Sequence, residues 1–274
     1  MIHFPEAHPA AADGGHRPVV LLHGGNVANW MWEPQLAALH DRLALTPHLP
    51  GFGARVAEPW PGLAGAADDI AARIRSLAGD DHPGEDHARV DVVGLSLGGV
   101  VALHLAARHP GLVASVLTSG AAVERVGGAA RATSALQLAL WQRRWFWKAQ
   151  AVAFGLPADS HEPYVDHGVS IRRQTAAAML AEVYAGGIPA GLADYRGRML
   201  LVAGSKEPAV MRRSLAALRR TVPQAETRVA PRMHHVWNVE DVDRFNAMLR
   251  SWLRGAVDDW LLDPSLPEPA RIRR

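Results

Sequence analysis

The sequence predicts an α/β fold in which a mostly parallel sheet carries helices on both faces. Three observations lead there. Six short strand-like runs recur over 18–22, 43–46, 90–95, 112–118, 198–203 and 226–230. Helical spacing of apolar residues fills most of the gaps, and strands alternating with helices run parallel because each helix carries the chain back across the sheet. The third is a junction. A Val-rich run beginning at Val90 passes into a helical run, Leu97 to Arg108, across Gly94-Leu95-Ser96-Leu97-Gly98.

That junction is the most informative stretch of the chain. A strand that becomes a helix over one residue forces that residue into a strained backbone, and its neighbours must then be small. Gly94 and Gly98 supply the room, and Gly99 lets the helix lie close to the sheet. Ser96 Oγ would then stand at the carboxyl end of the strand, above a helix N-terminus. A dinucleotide-binding loop also follows a strand with glycines, but Ser96 occupies the place where a second glycine must admit a pyrophosphate. No acidic residue follows about 20 positions later to hold a ribose.

Length and composition bound the rest. The 274 residues suffice for one large domain with an insertion or for two small domains. With 49% hydrophobic and 20% charged residues the chain is globular, and the absence of Cys excludes disulfides, thiolate chemistry and Cys-ligated zinc. Fourteen His raise the question of metal. Their most polar setting, Asp80-Asp81-His82-Pro83-Gly84-Glu85-Asp86-His87, is broken by Pro-Gly and lacks ligand spacing, so it reads as a surface loop and no metal is expected. The pI is near 9.4, yet the formal net charge is only +2. Arg pairs such as Arg143-Arg144 and Arg219-Arg220 are spread among acids, which fits solvated helix faces and no nucleic-acid partner. No apolar run spans a membrane and Met1–Arg17 has no signal-peptide pattern, so a soluble cytoplasmic protein is expected.

In chain order, Ile2-His3-Phe4 is a candidate edge strand. The buried strand Pro18–Leu22 ends in His23-Gly24-Gly25 before helical spacing over 29–39. A strand at 43–46 leads to Leu49-Pro50-Gly51-Phe52-Gly53, and Leu63–Leu77 reads as a helix with Ile70, Ile74 and Leu77 on one face. After the strand at 112–118, residues 121–195 show helical periodicity but no strand, with Trp141, Trp145, Phe146 and Trp147 closely spaced. These aromatics would form the core of a small helical unit or face a pocket. The strand at 198–203 ends in Gly204-Ser205-Lys206-Glu207-Pro208 ahead of a helix to Arg220, where Glu207 could simply favour the first turn. The last strand is followed by Met233-His234-His235-Val236-Trp237-Asn238 and a helix over 239–256, with Asn238 and Asp241 as candidate cap and first-turn acid. Pro264, Pro267 and Pro269 break the remainder.

Gly94-x-Ser96-x-Gly98 between strand and helix, with His23-Gly24-Gly25 upstream, resembles the nucleophile elbow and oxyanion loop of the α/β-hydrolase fold. The resemblance covers roughly 17–256. It implies a core over 1–120 and 195–256, a helical cap over 121–194 and a loose tail over 257–274. It also implies Ser96 as nucleophile, His235 as base in preference to His234, and Glu207 as the orienting acid. Glu124, just past the preceding strand, remains a competitor for that last role. The oxyanion donors carried over are the Gly25 and Leu97 N–H groups, and Trp141, Trp145 and Trp147 become candidate pocket residues. Relatives carry Asp where this chain has His48, a departure expected to concern loop structure. The implied activity is hydrolysis of a small or medium, largely apolar carboxylic ester through an acyl-enzyme, with no cofactor. Carbon–carbon hydrolase or lyase use of the triad, or ligand binding without catalysis, are the alternatives.

Overall fold

Among the described residues, seven strands form one sheet in the order β1-β3-β2-β4-β5-β6-β7. They are β1 (Ala7–His8), β2 (Val19–Leu22), β3 (Ala44–Leu45), β4 (Val90–Leu95), β5 (Val113–Ser119), β6 (Arg198–Gly204) and β7 (Glu226–Ala230). The computed structural model describes residues 4–11, 15–78, 89–127, 135–156 and 158–264. All neighbours pair in parallel except the edge strand β1, which runs antiparallel to β3. The described edge strand is Ala7–His8; of the candidate edge strand at 2–4, Ile2 and His3 lie outside the described residues, as does the loop at 80–87.

Both faces of the sheet are covered, which is why its strands read as continuous apolar runs. Successive side chains of β2 alternate between two cores, as the two-residue period of a strand requires. Val20 and Leu22 join Ile70 and Ile74 of α2 (Gly62–Ala78), Val101 and Leu105 of α3 (Leu97–Arg108), and Leu218 of a later helix. Val19 and Leu21 join Trp32, Phe245, Met248 and Trp252 on the other face. The expected helix over 29–39 is shorter, a 3-10 turn Asn29–Trp32 followed by α1 (Glu33–Leu36), with Pro34 in its first turn.

Between β5 and β6 lie α4 (Arg144–Ala153), α5 (His161–Ser170) and α6 (Arg173–Ala185), with no strand among the described residues. The flanks of this insertion belong to the core. Ala121 and Val123 are buried with α3, and Ser214 Oγ accepts the N–H groups of both Val123 and Glu124 at 3.0 Å. At the other side, Glu182 Oε2 accepts from Trp60 Nε1 (2.8 Å) and Leu63 N–H (3.0 Å), fixing α6 to the start of α2.

The chain closes with α7 (Ala209–Thr221), the short α8 (Trp237–Glu240) and α9 (Val242–Leu253). The last helix starts three residues later than its periodicity predicts. Asp241, not Asn238, is its cap and accepts from Arg244 N–H, while Asn238 is buried and donates to Met31 O. Residues 257–262 also depart from the loose tail expected over 257–274, of which 265–274 lie outside the described residues. Leu262 bridges Val229 in β7, Leu261 is buried, and Trp260 packs on Trp237 at 6.0 Å between ring centroids. Burial of these apolar side chains holds residues 257–262 against the sheet although no regular element carries them.

Candidate active site

Strand register brings the site together. Leu22 pairs with Gly94, Leu95 with Ser119, and Gly204 with Ala230, so β2, β4, β5, β6 and β7 end along one edge. The residues just beyond those ends are His23, Ser96, Gly120, Glu207 and His235. A crevice at the carboxyl ends of parallel strands is where open α/β sheets place their ligands.

Ser96 sits between β4 and α3 with φ 55° and ψ −117°, a left-handed conformation that costs a non-glycine residue about 1–3 kcal/mol. The bend holds because its N–H donates to Ser119 O (2.8 Å) and its carbonyl accepts from Val100 N–H (3.1 Å). It also needs the flanking glycines. A Cβ at Gly94 would overlap the Gly98 carbonyl, and one at Gly98 would overlap the Leu22 carbonyl.

His23, not singled out for a role by the sequence, organises the facing loop. Leu49 N–H donates to its Nε2 at 3.1 Å, which leaves Nδ1 as the protonated nitrogen, donating to Gly24 O at 2.8 Å. Burial of the ring pushes its pKa down to about 3, so it stays neutral. The loop it shapes brings Gly25 against Leu97. Among the described residues, no backbone carbonyl accepts from either of their N–H groups. His48 is buried beside His23 at 6.3 Å between centroids; its N–H donates to Glu6 Oε1 and its carbonyl accepts from Arg55. Its contacts are those of a loop anchor.

On the other flank His235 Nδ1 meets Glu207 Oε1 at 2.5 Å, and Glu207 Oε2 accepts from Gly204 N–H at 2.6 Å. The Glu207 side chain is 1% exposed, and α7 begins only at Ala209, so the residue serves this pair instead of the helix's first turn. Gly120 makes the pairing sterically possible. It has φ +66°, and a Cβ there would lie 2.7 Å from His235 Cε1 and 3.1 Å from Glu207 Oε1. His234 turns away, half exposed and bonded to Glu240 at 2.8 Å. Glu124 makes no ion pair with His235; its fixed contact is the backbone bond to Ser214.

Ser96, His235, Gly25 and Leu97 line one cavity of about 310 Å3, at the small end of the ~300–1,000 Å3 typical of small-molecule sites. Its walls include Val27, Trp30, Phe154, Met179, Leu180 and Val183, and among the described residues no Asp, Glu, Lys or Arg contributes to them. A larger cavity, about 870 Å3, lies beyond Trp30 among Arg55, Arg73 and His167; neither Ser96 nor His235 reaches it.

The three tryptophans proposed for the pocket are elsewhere. Trp141 and Trp147 are fully buried within the insertion, edge to face at 4.8 Å, with Trp147 Nε1 donating to Trp141 O at 2.6 Å. Gly168 on α5 lies directly against the Trp147 indole, where a Cβ would overlap it. Trp145 is 60% exposed on the outer face. These indoles are the insertion's own core and surface. Phe154, Tyr164, Met179 and Tyr184 line the cavity in their place. They lie on the same helical periodicity, and nothing local marks their faces as inward.

Comparison with known proteins bears on this arrangement. Residues 19–248 match the Alpha/beta hydrolase family. A pimeloyl-[acyl-carrier protein] methyl ester esterase from Neisseria meningitidis is 39% identical over 104 residues, 36% of this chain and 34% of that protein. An AB hydrolase superfamily protein from Gibberella zeae is 32% identical over 109 residues, 39% of this chain and 36% of that one. The matches thus span about a third of the length of these curated relatives. Among solved structures, an esterase from Exiguobacterium antarcticum superposes with TM-score 0.75 at 18% identity, covering 91% of this chain and 94% of that one. An enol-lactonase from Burkholderia xenovorans gives 0.70 at 21%, covering 90% and 96%. At such identities these structures speak to the fold alone.

Proposed function

For this chain, which belongs to the alpha/beta hydrolase family, we propose a serine hydrolase that cleaves a small or medium, uncharged carboxylic ester through an acyl-enzyme. The observation that carries the reading is the pairing of buried Glu207 with His235 at 2.5 Å, the His235 side chain lining the same cavity as Ser96, with no charged side chain among the described lining residues. Ser96 Oγ attacks the ester carbonyl carbon while His235 Nε2 takes its proton. Glu207, held by the Gly204 N–H, keeps the opposite ring nitrogen protonated and stabilises the imidazolium. The N–H groups of Gly25 and Leu97 receive the charge that develops on the carbonyl oxygen, which is usually the largest single contribution to such catalysis. His235 returns the proton to the departing alcohol. Water, deprotonated by the same nitrogen, then releases the acid and restores Ser96.

The insertion over α4–α6 acts as a cap that roofs the cavity. An uncharged lining favours uncharged substrates, because a charge brought there would lose its hydration without gaining a partner. The methyl ester esterase among the relatives agrees with this class of substrate. A fluorophosphonate probe tests the assignment. The expected result is covalent labelling of Ser96 together with turnover of short-chain chromogenic esters. Absence of both would leave a ligand-binding or lyase reading in its place.

A further inference from the structure

The cavity roof contains one feature that ester hydrolysis does not use. Helices α4 and α5 each send a hydrogen-bonding side chain to it, Gln150 and Tyr164, and the two meet there: Tyr164 Oη donates to Gln150 Oε1 at 2.7 Å. Tyr164 is buried, 3% exposed, and burial pushes its phenol well above its usual pKa, so it remains an uncharged O–H. Its ring is held edge to face against Trp147 at 5.6 Å, which fixes where the oxygen stands.

The pair is only half satisfied. The Gln150 amide nitrogen bonds to no other described residue, and the Tyr164 oxygen keeps its lone pairs. If the amide is turned over, the phenol becomes the free donor and the amide oxygen the free acceptor. In either orientation the pair offers the cavity at least one donor and one acceptor. The same cavity is lined by Phe154, Leu156, Leu180 and Val183, which can supply neither, with Gln137, Ser160 and Tyr184 as further polar members and no charged side chain among the described residues. Polar capacity left unmet in a largely apolar wall is unfavourable, because a group shielded from water gains no partner in exchange.

We propose that Gln150 and Tyr164 form a subsite that binds an uncharged oxygen function, a hydroxyl or a carbonyl, which the substrate carries away from its scissile ester. The inference rests on the esterase reading and names the substrate class within it. A hydroxyl satisfies both partners at once, donating to the acceptor and receiving from the donor. A carboxylate does not fit, because it offers no donor and finds no cation among the described lining residues.

The experiment compares three ethyl ester series from butanoate to octanoate: unsubstituted, ω-hydroxy and ω-carboxylate. At the best-fitting length kcat/KM for the ω-hydroxy ester should exceed that of the unsubstituted one by up to about tenfold, the value of one net hydrogen bond. The ω-carboxylate should fall at least about a hundredfold below both. Tyr164→Phe and Gln150→Leu should each bring the ratio of kcat/KM for the ω-hydroxy ester to that for the unsubstituted ester down to about one, because the hydrogen-bonding partner of the hydroxyl is gone. Equal rates for hydroxy and plain esters at every length, or variants that slow both alike, would overturn the subsite. Binding of the same esters to Ser96→Ala protein gives Kd without turnover. If no ester is cleaved and Ser96 is not labelled, the esterase reading fails, and the Kd ratio still decides for or against the subsite.

Discussion

The floor and the roof of the cavity are built on different principles. The floor is backbone. Ser96 holds φ 55°, Gly120 holds φ +66°, and Gly94 and Gly98 leave no space for a Cβ. Its polar groups are tied down by named bonds, His23 to Leu49 and Gly24, Glu207 to Gly204 and His235. The roof is side chain. Helices α4, α5 and α6 pack through Trp141, Trp147 and Tyr164 and present Phe154, Met179 and Val183 to the cavity by whichever faces remain. A strained backbone fixes atoms to within a fraction of an ångström, as bond making requires. A packed helical surface can exchange one apolar side chain for another and so set which substrate is admitted. On the proposed reading, chemistry is therefore invested in the floor and selectivity in the roof.

The largest expected effect is at the floor. Ser96→Ala should lower kcat for ester hydrolysis by about 10⁴–10⁶ with the fold intact by circular dichroism. A folded variant that keeps near-parental turnover would break the division outright.

Next comes the orienting acid. Glu207→Gln should lower kcat by roughly 10³–10⁴, since the imidazole is then free to take the unproductive tautomer. Glu124→Gln should stay close to the parent. Steady-state kinetics of the two variants on one ester compares them directly, and a large loss in Glu124→Gln with none in Glu207→Gln would move the acid to the other loop.

A pH titration of stability probes one group in each region. Burial pushes the pKa of His23 on the floor to about 3 and that of His167 on α5 to about 4. The unfolded chain protonates both near pH 6.5 while the folded protein does not, so the unfolded state binds more protons below that pH. Stability is thus fully present above pH ~6.5 and is lost as the pH falls towards the folded values, by about 1.4 kcal/mol per pH unit for each ring. Urea unfolding between pH 7 and 4.5 should show this slope, and His23→Gln and His167→Gln should each remove about one proton from it. A slope unchanged in both variants would show that neither imidazole is held neutral.

The smallest effects belong to the roof. Met179 Cε lies 3.4 Å from where a Gly25 Cβ would stand, directly over the candidate oxyanion loop. Met179→Ala should raise kcat/KM for branched acyl esters relative to acetate by about tenfold. Trp145→Ala, on the exposed face, should change that ratio by less than about twofold. If Trp145 rather than Met179 shifts selectivity, the roof has been read inside out.

The choice between Glu207 and Glu124 as the partner of His235 stayed open in the sequence, which alone determined the strand order along the chain, the bend at Ser96 and the His23-Gly24-Gly25 turn. Each is legible because local backbone demands leave few residue choices: glycine where a Cβ would collide, short apolar runs where a strand is covered on both faces. Tertiary structure decided the rest. Asp241 rather than Asn238 caps α9 because Asn238 is drawn into contacts with Met31 and Gln35, over 200 residues away in sequence. Residues 257–262 are held by β7 and Trp237, which no local pattern announces. Gly120 becomes indispensable only once His235 arrives against it from the far end of the chain. The tryptophans of the insertion were misplaced for the same reason. Helical periodicity tells which residues share a face, but a helix packed on other helices, on the core and on a cavity has several apolar surroundings. Only the assembled packing decides which face meets which.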